Sequence, residues 1–265
     1  MLFAIPFPQI DPVIFAVGPF VVRWYALAYV AGLVIGWRVL RRRAAAGADG
    51  IDPDRVDDFL VWATVGVILG GRLGYVLFYN LDYLIAHPGE ILAMWRGGMS
   101  FHGGFLGVVA AGVIFCRRHQ IRPLVFGDML ACVAPIGVFF GRVANFINGE
   151  LFGRATDVPW GVVFPRGGPE PRHPSQLYEA ALEGVVLFII LNLMWRSERI
   201  RKRPGILTGA FVAGYAVARM IVELFRQPDA HIGFLTLGST MGQWLSIPML
   251  LIGLGMIAWA ARRAV

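Results

Sequence analysis

The sequence predicts an all-α polytopic membrane protein: seven transmembrane helices, N-terminus outside, C-terminus cytoplasmic, with residues 149–175 forming a small periplasmic loop or head within a single integral membrane domain, 1–265. Three observations lead there. Of 265 residues, 57% are hydrophobic and 15% charged, and the mean hydropathy is +0.64, too little polar surface for a soluble globule of this size. Runs of about 20 apolar residues, enough to cross the hydrocarbon core of a bilayer, recur along the chain. Basic residues alternate strongly between successive connections.

The spans are expected in this order. The N-terminal MLFAIPFPQIDP lacks a basic n-region and is broken by prolines, so it does not read as a cleavable signal peptide. Span one follows from Phe20 to Leu40, span two from Val56 to Tyr79, and span three from Ser100 to Cys116, with His102, Gly103 and Gly104 in its first turn. Span four runs from Leu124 to Asn148, span five from Leu177 to Trp195, span six from Gly205 to Phe225, and span seven from Thr240 to Ala261. Pro174 and Ser175 suit a helix start, with Ser175 as N-cap and Tyr178 and Glu179 in the first turn. The connections after spans one, three, five and seven carry 14 basic residues; those on the opposite side carry five, Arg96, Arg154, Arg166, Arg172 and Arg226. That asymmetry orients the chain.

The net charge of +7 follows this alternation and lies on no continuous face, which argues for membrane lipids as surroundings and against nucleic acid as a partner. Cys116 and Cys132 lack CxxC spacing and are expected to be buried packing residues. There is no HExxH, no aspartate pair suited to magnesium and no GxSxG, so neither a metal nor an activated protein nucleophile is expected.

The residues that remain are those a bilayer should exclude. An arginine at the centre of a membrane helix costs roughly 2.5 to 3.5 kcal/mol on insertion scales. Yet GRVANFINGELFG, residues 141–153, places Arg142, Asn145, Asn148 and Glu150 along the end of span four. Arg142 and Asn145 share a helix face, and Gly149 and Gly153 release the chain into a loop where backbone can approach a ligand. Span six adds Arg219, Glu223 and Arg226 on one face, with Arg219 and Glu223 able to neutralise each other. The orientation puts Arg23, Arg72, Arg142, Arg219 and His102 in the outer half of the bilayer, which predicts a polar cavity open to the outer leaflet. Its surplus of arginine suits a phosphate. His102 is the candidate base, since a neutral imidazole accepts a proton near neutral pH; glycines around it equally suit close helix packing. Tyr25 and Tyr215 lie on spans one and six. The long loop could anchor at the interface through Trp160 and Phe164, or cover the cavity.

The strings RWYALAYVAG, GGRLGYVLFYN, SFHGGFLG, GRVANFINGELFGR, RHPSQLYEA and YAVARMIVELFRQPD occur in this order over nearly the whole chain. Together they resemble the prolipoprotein diacylglyceryl transferases. The resemblance implies a bacterial inner-membrane enzyme without a cofactor. It would transfer the sn-1,2-diacylglyceryl group of phosphatidylglycerol to the lipobox cysteine of a preprolipoprotein signal peptide, forming a thioether and releasing glycerol 1-phosphate. It carries roles onto Tyr25, His102, Arg142, Asn145, Glu150, Gly153, Tyr215, Arg219, Glu223 and Arg226. Arg142 and Arg219 would hold the phosphodiester, while Asn145 and Glu150 would orient the headgroup or support the arginines. The thiol would be activated by His102 or by nearby arginines lowering its pKa. An anionic-lipid transporter or flippase is the alternative reading of the same arginines.

Overall fold

The structure is a computed structural model describing residues 4–18, 20–47, 50–79, 81–91, 97–228 and 233–263. Arg96 of the outer basic set, Asn80 of GGRLGYVLFYN and Asp229 of YAVARMIVELFRQPD lie outside the described residues. The chain divides into two compact units, Val39–Phe126 and the remainder, Met1–Arg38 with Gly127–Val265.

The chain is mostly helical, with two short sheets the sequence did not announce. β1 (Ile5–Pro6) pairs in parallel with β4 (Val162–Val163), and β2 (Val13–Val17) runs antiparallel to β3 (Phe20–Arg23). The second sheet changes the first span. Gly18 takes a left-handed conformation, φ +57, which suits a tight reversal, and the two valines that follow suit a strand. Arg23 therefore pairs with Val13 in a hairpin instead of opening a helix. The helix starts one residue later, as α1 (Trp24–Ala45).

Among the described residues, five helical stretches are long and apolar enough to cross a membrane: Pro53–Tyr79, Phe101–Arg118, Pro123–Ile147, Ser175–Trp195 and Met241–Arg262. Each matches an expected span within a few residues. The two other expected spans fall outside this set. α1 is long, but Arg38 and Arg41 to Arg43 dilute its apolar run. Ile206–Val222 is apolar but shorter.

In the unit Val39–Phe126, α2 (Pro53–Tyr79) lies along α4 (Phe101–Arg118), with the short α3 (Leu81–Ala86) between them in sequence. The seam is glycine. A Cβ on Gly66 would meet the Gly107 carbonyl oxygen at 2.7 Å, and one on Gly74 would meet the Gly103 Cα at 2.7 Å. Small residues at this spacing let helix backbones approach closely, as membrane helices commonly do. Phe59, Phe115 and Phe126 close the opposite end, Phe59 and Phe126 at 4.8 Å between ring centres.

The helix α5 (Pro123–Ala131) begins in that unit and ends in the other, where α6 (Ala134–Ile147) is followed by the loop, then by α7 (Ser175–Glu179), a π-helical segment Ala180–Val186 and α8 (Leu187–Trp195). After the short α9 (Glu198–Arg201) come α10 (Ile206–Val222) and α11 (Met241–Arg262). Cys132, Leu187, Leu191 and Leu207 form the apolar centre of this unit; both cysteines of the chain are buried, as expected. The start of α10 is held from α5. Buried Asp128 accepts hydrogen bonds from the Gly205 and Thr208 amides at 2.8 and 2.7 Å and from the Thr208 hydroxyl at 2.6 Å. A carboxylate thus satisfies amides that every helix N-terminus leaves free.

Candidate functional site

The site is built at the junction of α6, the π-containing helix and α10. Gly184 allows the approach, since a Cβ there would lie 2.7 Å from the Phe139 Cβ. Arg142, one turn beyond Phe139 on α6, is thereby brought against Glu179 and Glu183, to which it is paired at 3.2 Å each. Neither glutamate exposes any side-chain surface. Glu179 is the hub: one oxygen also meets the guanidinium groups of Arg219 and Arg226, the latter at 3.0 Å. Arg219 reaches forward to Glu223, just past the end of α10, at 2.5 Å, the neutralising pair expected from their spacing.

Glu223 is held in turn by α11. The Thr240 hydroxyl donates to it at 2.5 Å, and Thr240 caps α11 through a reciprocal pair with Gln243. Gly242 leaves the room the carboxylate occupies. The Tyr215 hydroxyl stands beside Arg142 and Glu183.

The expected surplus of positive charge is corrected by this geometry. Arg142, Arg219 and Arg226 face Glu179, Glu183 and Glu223, three cations against three carboxylates. Burial of so many charges is tolerated only with this mutual pairing. Arg142 and Arg219 keep 18% and 16% of their side chains exposed. Each is ion-paired with carboxylates, Arg142 with Glu179 and Glu183 and Arg219 with Glu179 and Glu223.

Beside the cluster, the Asn145 and Asn148 amides donate to Glu150 at 2.8 and 3.3 Å. Glu150 sits between Gly149 and Leu151, both left-handed at φ +63 and +60; for leucine this backbone costs roughly 1–2 kcal/mol. Gln176 and Ser175 hold the strained turn through the Glu150 and Leu151 carbonyls at 2.5 and 3.0 Å. Ser175 is therefore the first residue of its helix and not its N-cap. Tyr25, in the first turn of α1, pairs its hydroxyl with that of Tyr29 at 3.2 Å and is close enough to Glu150 and Arg142 to interact with their charges.

Gly153 has no space for a side chain: a Cβ would lie 2.7 Å from that of His173. It forms a single antiparallel bridge with Arg226, and its amide donates to the His173 carbonyl at 2.8 Å. Residues 149–175 make an ordered cap around Phe164, which packs with Phe7, Phe146 and Phe152. Arg154 ties the cap to the end of α10 through the carbonyls of Arg226 and Glu223 at 3.0 and 3.1 Å.

Two of the five groups expected to converge belong to the other compact unit. Arg72 donates to the carbonyls of Glu90, Ile91, Gly97 and Gly98 at 2.6 to 3.2 Å, so its donors hold backbone. His102 lies in the first turn of α4, exposed and edge-on to Phe101 at 5.7 Å. Its neighbours Gly103 and Gly107 form the seam with α2. Among the described residues no three His, Cys, Asp or Glu side chains are placed to hold a metal ion.

The family profile described as prolipoprotein diacylglyceryl transferase matches residues 12–259. The chain belongs to that family. The phosphatidylglycerol–prolipoprotein diacylglyceryl transferase of Paramagnetospirillum magneticum is 58% identical over 264 residues, 99% of this chain and 98% of its own. The protein of the same name from Rhodospirillum rubrum is 59% identical over 268 residues, 100% and 97% of the two chains. That of Azospirillum brasilense is 56% identical over 264 residues, 99% and 98%. Against this family background, Glu179 and Glu183 are the site residues that sequence reasoning missed. Their signal was available, since both are charges inside an expected span.

Proposed function

We propose that this protein transfers the sn-1,2-diacylglyceryl group of phosphatidylglycerol to the thiol of the lipobox cysteine of a preprolipoprotein. A thioether forms and glycerol 1-phosphate leaves, the first step of bacterial lipoprotein maturation. The observation that carries this reading is the pair Arg142 and Arg219, buried, partly open and tied to one carboxylate, in a chain that full-length relatives of that name match. Guanidinium groups so fixed stabilise charge developing on a leaving phosphate without reorganising during the reaction.

In this reading the whole chain is one membrane domain of seven spans in the bacterial inner membrane, N-terminus outside, with the site toward the outer leaflet and residues 149–175 periplasmic. Tyr25, Asn145, Glu150, Gly153 and Tyr215 shape the headgroup site, and Glu223 and Arg226 hold Arg219 and Glu179 in place. His102, directly or through water, takes the thiol proton, or the arginines lower the thiol pKa enough to make a base unnecessary. His102→Gln separates the two: near-normal turnover at neutral pH excludes an essential histidine base.

The decisive experiment incubates the purified protein with phosphatidylglycerol and a lipobox peptide and looks for the diacylglyceryl mass shift. Folded protein that forms no adduct refutes the transferase reading, and lipid movement without adduct favours a transporter. Arg142→Ala is expected to abolish the adduct and, by leaving Glu179 and Glu183 short of a partner, to lower a melting transition that stays cooperative.

A further inference from the structure

We propose that Glu183 is the proton carrier of this site: it takes up a proton as the lipid phosphate binds and delivers it to the departing glycerol phosphate. The inference rests on the transferase reading and assigns a further catalytic residue to it.

Charge balance is the starting point. The six charges of the cluster sum to zero, so a bound phosphodiester monoanion leaves it one charge negative in surroundings that screen poorly. A proton on one carboxylate restores neutrality with the least rearrangement.

The three glutamates are not equivalent recipients. Glu179 is paired with Arg142, Arg219 and Arg226; one of its oxygens also accepts no hydrogen bond among the described residues, but it has Arg142 at 3.2 Å. Glu223 has Arg219 at 2.5 Å, Arg226 at 3.9 Å and the Thr240 hydroxyl. Glu183 is the least supported. One of its oxygens accepts from Arg142 at 3.2 Å; the other is buried and accepts no hydrogen bond among the described residues, with Arg219 at 4.0 Å. The charged or titratable groups facing it are Arg142 from α6, Glu179 from α7, and Arg219 and Tyr215 from α10. Glu179 one turn away adds like charge, which favours the neutral acid. A phosphate that draws Arg142 and Arg219 onto its own oxygens removes the two cations that keep Glu183 ionised.

The same placement suits delivery. An anion held between Arg142 and Arg219 lies beside the Glu183 carboxyl group, 3.2 Å from the one and 4.0 Å from the other. As the cysteine sulfur forms its bond to the glyceryl carbon, the carbon–oxygen bond to the phosphate breaks and its electron pair stays on the phosphate oxygen. That oxygen takes the Glu183 proton, so glycerol phosphate leaves as a monoanion. The thiol proton goes to His102 or to water, and Glu183 is left ionised and paired with Arg142 for the next lipid.

The test counts protons. Titration calorimetry of phosphatidylglycerol vesicles into the wild-type protein, in two buffers of different ionisation heat near pH 7, is expected to show uptake of about one proton per lipid bound. Glu183→Gln should bind lipid with no uptake, keep KM for lipid, and lose about 100-fold or more in kcat. Glu183→Asp, which keeps the acid, should retain the uptake and part of the rate, and it carries the test if the glutamine variant does not fold. Wild-type protein that forms adduct but takes up no proton overturns the proposal and leaves the transferase reading standing. So does a Glu183→Gln protein with unchanged kcat, or with kcat kept and KM raised. Failure of the folded wild-type protein to form any adduct refutes the transferase reading itself.

Discussion

Thr240 gives the cluster its link to the last helix through one hydroxyl, at once the cap of α11 and a donor to Glu223. Thr240→Val keeps the shape and leaves that carboxylate oxygen unsatisfied, so a loss of about 1–3 kcal/mol is expected, with Thr240→Ser close to wild type. Thermal unfolding in detergent measures this, and equal transitions for the two variants would contradict the link. His173 offers a pH prediction. The Trp160 indole donates to the Tyr178 hydroxyl at 2.7 Å, and that hydroxyl lies 3.1 Å from His173 Nδ1. Burial, then the charge of Arg154, lowers the His173 pKa from its ordinary value, with Asp157 opposing. The folded protein therefore binds this proton less readily than the unfolded chain. The stability involved is fully present above the ordinary histidine pKa of about 6.5 and drains away as pH falls from there through the lowered value. Melting curves from pH 8 to pH 5 should show the decline, and His173→Gln should flatten it.

At the scale of elements, the long apolar stretches were legible because twenty consecutive side chains vote on them. The hairpin before α1 was not. Phe20 to Arg23 is as apolar as a helix start, and the reversal at Gly18 decides its conformation. The two sides of the site differed in the same way. Arg142, Asn145 and Glu150 stood out because they interrupt an apolar run, and Arg219 and Glu223 because their spacing makes a pair. Glu179 and Glu183 read as ordinary acids near a helix start; their partners are 36 to 47 residues away in sequence, and the π-helical segment that begins after Glu179 and contains Glu183 leaves no mark in residue type. Asp128 was equally silent. Asp128→Ala should destabilise the start of α10 by about 2 kcal/mol, as loss of a helix cap with buried donors does, and Asp128→Asn by less. Hydrogen exchange at Thr208 would report it; unchanged protection would mean that other groups hold that end.

For the molecule as a whole, the orientation in the membrane is the feature most directly open to test. Cys116 and Cys132 are buried, so a new surface cysteine can be read against a quiet background. Glu170→Cys is expected to react with an impermeant maleimide from outside intact spheroplasts, and Arg199→Cys only after lysis. Labelling of Arg199→Cys from outside would reverse the assignment. The π-helical segment Ala180–Val186 has a further consequence. A π turn amounts to one residue inserted into an α-helix, so it works as a phase adjuster between the polar end of that helix, with Gln176 and Glu179, and the apolar end, with Leu187 and Leu191. Deleting one residue there would restore α-helical phase and rotate one end against the other by about 100°. Either the carboxylates would turn from the arginines or the leucines from the core, so the site depends on the length of this segment as well as on the Glu183 and Gly184 it contains.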